Sequence, residues 1–402
     1  MTQAQSNTEG RLVISPPVHN STGHMVIAPD KFKGSASASD AAAALARGVR
    51  SAAPNLKVIE FPVADGGEGT VEMMIRQGYA PVTCSVTGPL QQTVTATYAL
   101  RGNTAVIEMA SAAGLANLGS GGPTRTTART ASTRGVGQLM VDALDRGAHR
   151  IVLGVGGSAT TDGGAGALAA LGARIFNADG DPIYPCAQDL SEAHVLCVDA
   201  LDPRLRDVEL IVACDVDNPL TGRHGAAFVY APQKGASPHT VAHLDHALSR
   251  WADVVATAVG RDIRDSPGVG AAGGLAFGMA AVLGARLTSG IELLLELTSF
   301  SDVVQAAALV VVGEGSLDEQ SLRGKGPVGV ARAARRVGVP TVAVAGRSLV
   351  TADDAHAVGL GAVYTLTDLE PDERNSMANA ESLLEQIGSG IARDYLSVHA
   401  HR

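Results

Sequence analysis

Aromatic residues are scarce: Phe, Trp and Tyr together make up 3% of the 402 residues. Platforms on which nucleic-acid bases stack are therefore not expected. Positive charge is also in deficit, with 31 Lys plus Arg against 40 Asp plus Glu and a formal net charge of −9, so attraction to a phosphate backbone is not built in. No uninterrupted apolar run approaches the roughly 18 residues that span a bilayer, and no charged segment precedes an apolar core at the N-terminus. The four cysteines, Cys84, Cys186, Cys197 and Cys214, are scattered and form no CxxC pair, unlike those of a stapled secreted domain. They read as reduced thiols. These deficits point to a cytoplasmic protein with neither nucleic-acid nor membrane partners.

What is abundant is glycine, 47 residues of it, alongside many alanines. That composition suits tightly packed helices and loops whose backbone approaches a ligand closely. The length favours two or three domains, at about 150 residues each. Residues 1–24 are polar, Pro-interrupted and aperiodic, and read as a disordered leader. From Met25 onward a strand (Met25–Ala28), an Ala-rich helix (Ser39–Ala53), a strand (Lys57–Val63) and a helix (Thr70–Gln77) spell βαβα, which implies a parallel sheet. The alternation around Thr93–Leu100 suits antiparallel strands, and a second domain is expected from there. A βαβ rhythm returns in Ala308–Val312, Gly326–Arg336, Thr341–Ala345, Ala352–His356 and Ala362–Leu366. The economical reading is one α/β domain, residues 25–88 and 288–402, interrupted by an inserted α/β domain, 89–287. No fixed-period repeat is present.

Several loops carry chemistry-bearing residues at strand ends. Asp30-Lys-Phe-Lys-Gly-Ser35 joins a strand to a helix, so free N–H groups and Lys31 and Lys33 can receive an anion; an ordinary N-cap with two solvated lysines explains the same residues. Asp65-Gly-Gly-Glu-Gly-Thr70 puts two acids at a strand's carboxyl end, the edge where open α/β sheets bind ligands. Such acids can hold Mg²⁺ or accept a hydroxyl proton, while a Gly turn with an acidic cap is the plainer reading. Gly154-Val-Gly156-Gly157-Ser158-Ala-Thr160-Thr-Asp162 is the most concentrated signal. Gly154, Gly156 and Ala159 satisfy G-x-G-x-x-[GA], but the acid expected about 20 residues on is poorly placed at Asp179, so a loop for one phosphate chain fits better than a dinucleotide site. The sequence Gly156-Gly-Ser158-Ala-Thr160 also lacks the last glycine of a nucleophile elbow.

Cys214-Asp215-Val-Asp217-Asn218 can bind a hard cation or form an Asx turn before Pro219, and Pro232-Gln-Lys234-Gly suits polar contacts. Gly313-Glu314-Gly315 opens a run through Asp318 and Lys325 that lacks the Walker pattern, because Gly324-Lys325 is followed by glycine. His243 and His246 have no carboxylate or thiol to complete a zinc set.

In this order, Asp30–Ser35, Asp65–Thr70, Thr133-Arg-Gly-Val-Gly137, Gly156–Gly164, Cys214–Pro219, Pro232–Gly235 and Gly313–Gly315 resemble the motifs of the bacterial type I glycerate kinase family. The resemblance runs from Met25 to the C-terminal helix and departs at the leader and at Lys31, where a small polar residue is expected. It implies a flavodoxin-like domain with a second α/β domain inserted, and ATP-dependent phosphorylation of D-glycerate at the 2-hydroxyl to give 2-phosphoglycerate. On that resemblance ATP and substrate are expected in an interdomain cleft, and a homodimer is allowed. Gly156, Gly157, Ser158, Thr160 and Gly315 are expected around the nucleotide, and Lys33 on phosphate or the glycerate carboxylate. Asp162 is the first choice for the base, with Asp65 and Asp215 as alternatives for base or Mg²⁺ ligand. Ser35, Arg134, Asp215 and Lys234 are expected to contact the substrate, Arg134 pairing with its carboxylate in bidentate fashion. A nucleotide-linked oxidoreductase and a non-catalytic sugar-acid sensor are the competing classes.

Overall fold

The structure is a computed structural model and describes residues 23–322 and 326–400, without the side chains of 396–400. The expected leader, apart from Gly23 and His24, lies outside the described residues, as does Lys325. Thirteen strands are described: β1 (His24–Pro29), β2 (Val58–Glu60), β3 (Ala80–Thr87), β4 (Thr93–Arg101), β5 (Thr104–Glu108), β6 (Arg150–Gly154), β7 (Arg174–Phe176), β8 (Val195–Cys197), β9 (Glu209–Ala213), β10 (Arg286–Thr288), β11 (Ala307–Leu317), β12 (Thr341–Ser348) and β13 (Leu360–Thr365). The chain separates into two compact units. One combines the described residues up to Asp65 with the described residues from Ile291 onward, and the other runs over Gly66–Gly290.

The first unit holds a five-stranded sheet in the order β13-β12-β11-β1-β2, every pair parallel. Numbered within the unit this is 2-1-3-4-5, the flavodoxin-like order, whose ligand site lies where β1 and β11 part company in direction of winding. Met25–Ala28 and Val310–Val312 are wholly buried, as expected for central parallel strands covered on both faces. The helix Ala38–Ala52 starts where Ser37 Oγ accepts from Asp40 N–H, and it packs on the helix Ala380–Ala400. A side chain at Gly48 would stand 1.9 Å from the Glu385 carbonyl oxygen, so the glycine sets how close these helices come.

The second unit is built on a six-stranded mixed sheet, β10-β9-β6-β5-β4-β3, in which β3, β4 and β5 run antiparallel to their neighbours in hairpins and β5, β6, β9 and β10 run parallel. A small antiparallel pair, β7 with β8, stands apart. The core centres on Tyr98, Ile107, Leu139, Ile151, Leu248 and Trp251, all fully buried. The expected change of domain at 88/89 falls instead at Asp65/Gly66, inside the acidic glycine motif, and the return falls at Gly290/Ile291. The reason is packing: helix Thr70–Arg76 lies on β4 and β5, and β3 pairs with β4 along its whole length. Among the described residues no helix is long and apolar enough to cross a membrane.

Candidate functional site

In the first unit the carboxyl edge of the parallel sheet gathers acids. Pro29 pairs with Gly313, and Asp30 N–H donates to the Gly313 carbonyl at 2.8 Å, so Asp30 and Glu314 follow side by side on adjacent strands at the switch point. Asp65, at the end of the segment after β2, and Asp318, just past β11, add their fields to the same group. Burial, and then the Asp65 charge, raise the Asp30 carboxyl to about 6, against the pull of Lys31, whose Nζ stands 3.7 Å from Asp30 Oδ1. Burial also raises Glu314, to about 7, with Asp30, Asp318 and Asp65 adding to it and the Ser321 hydroxyl opposing it. Beside the acids, Phe32 N–H donates to the Ala36 carbonyl and makes the Asp30–Ser37 segment a tight turn, on which Lys33 is exposed and Ser35 half-buried. A Cβ on Gly315 would lie 3.2 Å from Lys33 N, so this glycine lets the turn close over β11.

In the second unit the Gly154–Gly164 loop is held from within. Asp162 is fully buried, and Oδ2 accepts from Thr133 N–H (2.7 Å), Thr133 Oγ1 (2.8 Å) and Gly166 N–H (3.2 Å) while Oδ1 accepts from Gly164 N–H (3.3 Å). Burial raises the proton affinity of Asp162, and these four donors oppose it. Lys234, 1% exposed, donates from Nζ to Ser158 Oγ at 2.8 Å and to the Thr160 carbonyl at 2.5 Å. Burial lowers its ammonium to about 7 despite the nearby Asp162 charge. Thr160 and Thr161 are fully buried, and their hydroxyls have no hydrogen-bond partner among the described residues.

A left-handed turn, Ala272 (φ 54°), Gly273 (φ 64°) and Gly274 (φ 86°), backs this loop, with the Gly273 carbonyl accepting from Gly163 N–H. A Cβ on Gly273 would meet Thr160 O at 2.0 Å and Thr161 Cα at 2.6 Å. Gly273→Ala is therefore expected to lower stability by about 3 kcal/mol, the sum of left-handed strain and backbone displacement, read as a fall in the urea midpoint. An unchanged midpoint would mean the turn yields freely.

The residues expected from sequence thus fall into two groups. Gly156 is half-buried and Gly157 exposed; a Cβ on Gly156 would stand 2.4 Å from Gly67 Cα, so close approach of the acidic glycine loop accounts for that glycine. Ser158 is buried against Lys234, and Lys234 and Asp162 face inward rather than presenting a cation and a base to solvent. Arg134, half-buried, opens the helix Arg134–Asp145, and its charge is felt by the Tyr184 hydroxyl. Asp215 is half-buried just past β9, with Oδ1 accepting from Gly290 N–H at 3.0 Å. Sequence reasoning singled out the loops that hold Asp30 and Glu314 but gave neither residue a role. The signal for them was present, since each follows an apolar strand, but only the order of the sheet makes them neighbours.

Among the described residues no three His, Cys, Asp or Glu side chains are grouped closely enough to hold a metal by themselves. The donors fit the other mode of Mg²⁺ binding, in which nucleotide phosphates and waters fill most of the shell and one or two carboxylates complete it.

A 2-1-3-4-5 parallel sheet with carboxylates gathered at its switch point defines a ligand-binding α/β protein of the doubly wound class. Residues 25–396 match the glycerate kinase family. A glycerate kinase of Halalkalibacterium halodurans is 44% identical over 372 residues, which is 92% of this chain and 97% of that protein. The glycerate 2-kinase of Escherichia coli K12 is 42% identical over 346 residues, 85% of this chain and 90% of that protein. The crystal structure of a glycerate kinase 2 from Salmonella typhimurium LT2 superposes with a TM-score of 0.78 at 37% identity, covering 94% of this chain and all of that one. The chain belongs to the glycerate kinase family and is a kinase.

Proposed function

We propose that the protein transfers the γ-phosphoryl group of ATP to the 2-hydroxyl of D-glycerate, giving 2-phosphoglycerate and ADP in the cytoplasm. The observation that carries this reading is the set of carboxylates at the switch point of the first unit, in a chain of this family. Phosphoryl transfer asks a protein for positioned phosphates, compensation of developing charge and a group to receive the alcohol proton. Lys33 and Ser35, on the turn after β1, and Arg134, at the start of a helix, are the groups proposed to bind anionic oxygens of nucleotide and substrate. Gly157 and Gly315 supply backbone for close approach.

Asp162 and Lys234 are assigned a different part: they fix the backbone of the Ser158–Thr160 loop from behind. Mg²⁺ carried on the nucleotide would neutralise phosphate charge, and Asp215, its carboxylate oriented by Gly290 N–H, is the residue proposed to complete the shell. Asp65 stays with the Asp30 and Glu314 group, where Lys31 already supplies cationic compensation.

Purified protein with Mg-ATP and D-glycerate should release ADP and give the phosphorus resonance of 2-phosphoglycerate. A 3-phosphoglycerate resonance would move the position of transfer. Glycerate binding without ADP release would replace the kinase by a sensor.

A further inference from the structure

We propose, on the kinase reading above, that Glu314 is the general base of the transfer, its Oε1 receiving the proton of the attacking hydroxyl. Place comes first. Glu314 lies on β11 at the point where the sheet reverses its winding, beside Asp30 just past the end of β1 and opposite Ala345 on β12. Ligands of this sheet order bind beyond the carboxyl ends of those strands. Second, Oε1 is buried and has no hydrogen-bond partner among the described residues, so none of them competes for a proton there.

Third, the surrounding groups favour proton uptake at Glu314 over its neighbours. Asp30, Asp65 and Asp318 face it with like charge, and Ser321 offers one hydroxyl. Lys31 faces Asp30, with its backbone N–H donating to Asp30 Oδ1 (2.6 Å) and its Nζ 3.7 Å from the same oxygen. The result is a carboxyl held near 7, close to the pH at which it would work. Asp162, by contrast, has both carboxylate oxygens engaged, in four hydrogen bonds.

In the transfer, the hydroxyl O–H bond breaks as the proton passes to Glu314. The hydroxyl oxygen forms a bond to the γ-phosphorus, and the bond from that phosphorus to the β,γ-bridging oxygen breaks, leaving its electron pair on ADP. Glu314 then returns the proton to water.

The test compares Glu314→Gln and Glu314→Asp with the unaltered enzyme at saturating Mg-ATP and D-glycerate. Glu314→Gln should lose 10²- to 10⁴-fold in kcat, the usual worth of a positioned base, with KM for both substrates within about threefold. Its kcat should also lose the fall toward acid pH, and Glu314→Asp should recover part of the rate. A kcat within tenfold of the unaltered enzyme would overturn the assignment. So would restoration of Glu314→Gln by raised Mg²⁺, which would make Glu314 a metal contact.

Should the variant fail to fold, the unaltered enzyme decides: kcat should fall below a midpoint near 7, and a flat profile down to pH 5.5 would overturn the proposal. An unaltered enzyme inert toward D-glycerate would instead overturn the substrate reading, and the base assignment with it.

Discussion

Asp162→Asn is expected to destabilise the second unit by about 3 kcal/mol, and to do so before it touches the chemistry. The carboxylate accepts from Thr133 N–H, Thr133 Oγ1, Gly164 N–H and Gly166 N–H, and the residue is fully buried. An amide in its place keeps one acceptor and turns its NH₂ toward groups that are themselves donors. Hydrogen bonds to a charged group contribute about 1.5–3 kcal/mol each, and a buried donor left unpaired costs about 1–3 kcal/mol. For a unit of this size such a loss lowers the thermal midpoint by roughly 6–12 °C. Thr133→Val should show non-additive loss with Asp162→Asn, because Thr133 Oγ1 both donates to Asp162 and accepts from Ala167 N–H. Well below its midpoint the variant should turn over within about tenfold of the unaltered enzyme. A normal midpoint with a thousandfold loss of kcat would make Asp162 the base and displace Glu314.

Asp162 also shows where sequence reading stops. The strands of the first unit were legible because central parallel strands are continuous apolar runs, and Met25–Ala28 and Ala308–Val312 appear within a residue or two of β1 and the start of β11. From strands in that order the carboxyl-edge position of Asp30, Asp65 and Glu314 follows. Their mutual proximity does not, since it depends on β11 inserting next to β1 across more than 240 residues of intervening chain. The glycines of the 154–164 loop were equally visible, but their cause was not. A glycine that admits a phosphate and one that admits the Gly67 backbone look alike in one dimension. The unit boundary was missed for a related reason: helix Thr70–Arg76 carries a buried face, yet nothing in its own residues says which sheet that face will cover.

Lys234 gives the second large expectation, a stability that climbs with pH. Its ammonium is lowered to about 7 by burial, while the unfolded chain holds an ordinary lysine. Between these values the unfolded state binds one proton more than the folded state, so stability rises with pH by up to about 1.4 kcal/mol per unit. From pH 6 to pH 9 the gain from this residue is about 2–3 kcal/mol. Lys234→Met removes the titration and the slope with it. It also removes the donors to Ser158 Oγ and the Thr160 carbonyl, worth about 1 kcal/mol each.

The two stability curves should therefore cross. The variant should match or exceed the unaltered protein at pH 6, where the buried ammonium is most costly, and fall below it at pH 9, where the neutral amine still donates. Urea denaturation of both proteins at pH 6, 7, 8 and 9 reads this directly. The nearby Asp162 charge works against the shift, so in Asp162→Asn the lysine should lose its proton at still lower pH. Parallel curves for the unaltered protein and Lys234→Met would mean that the Asp162 carboxylate holds Lys234 charged throughout, as a buried ion pair behind the loop.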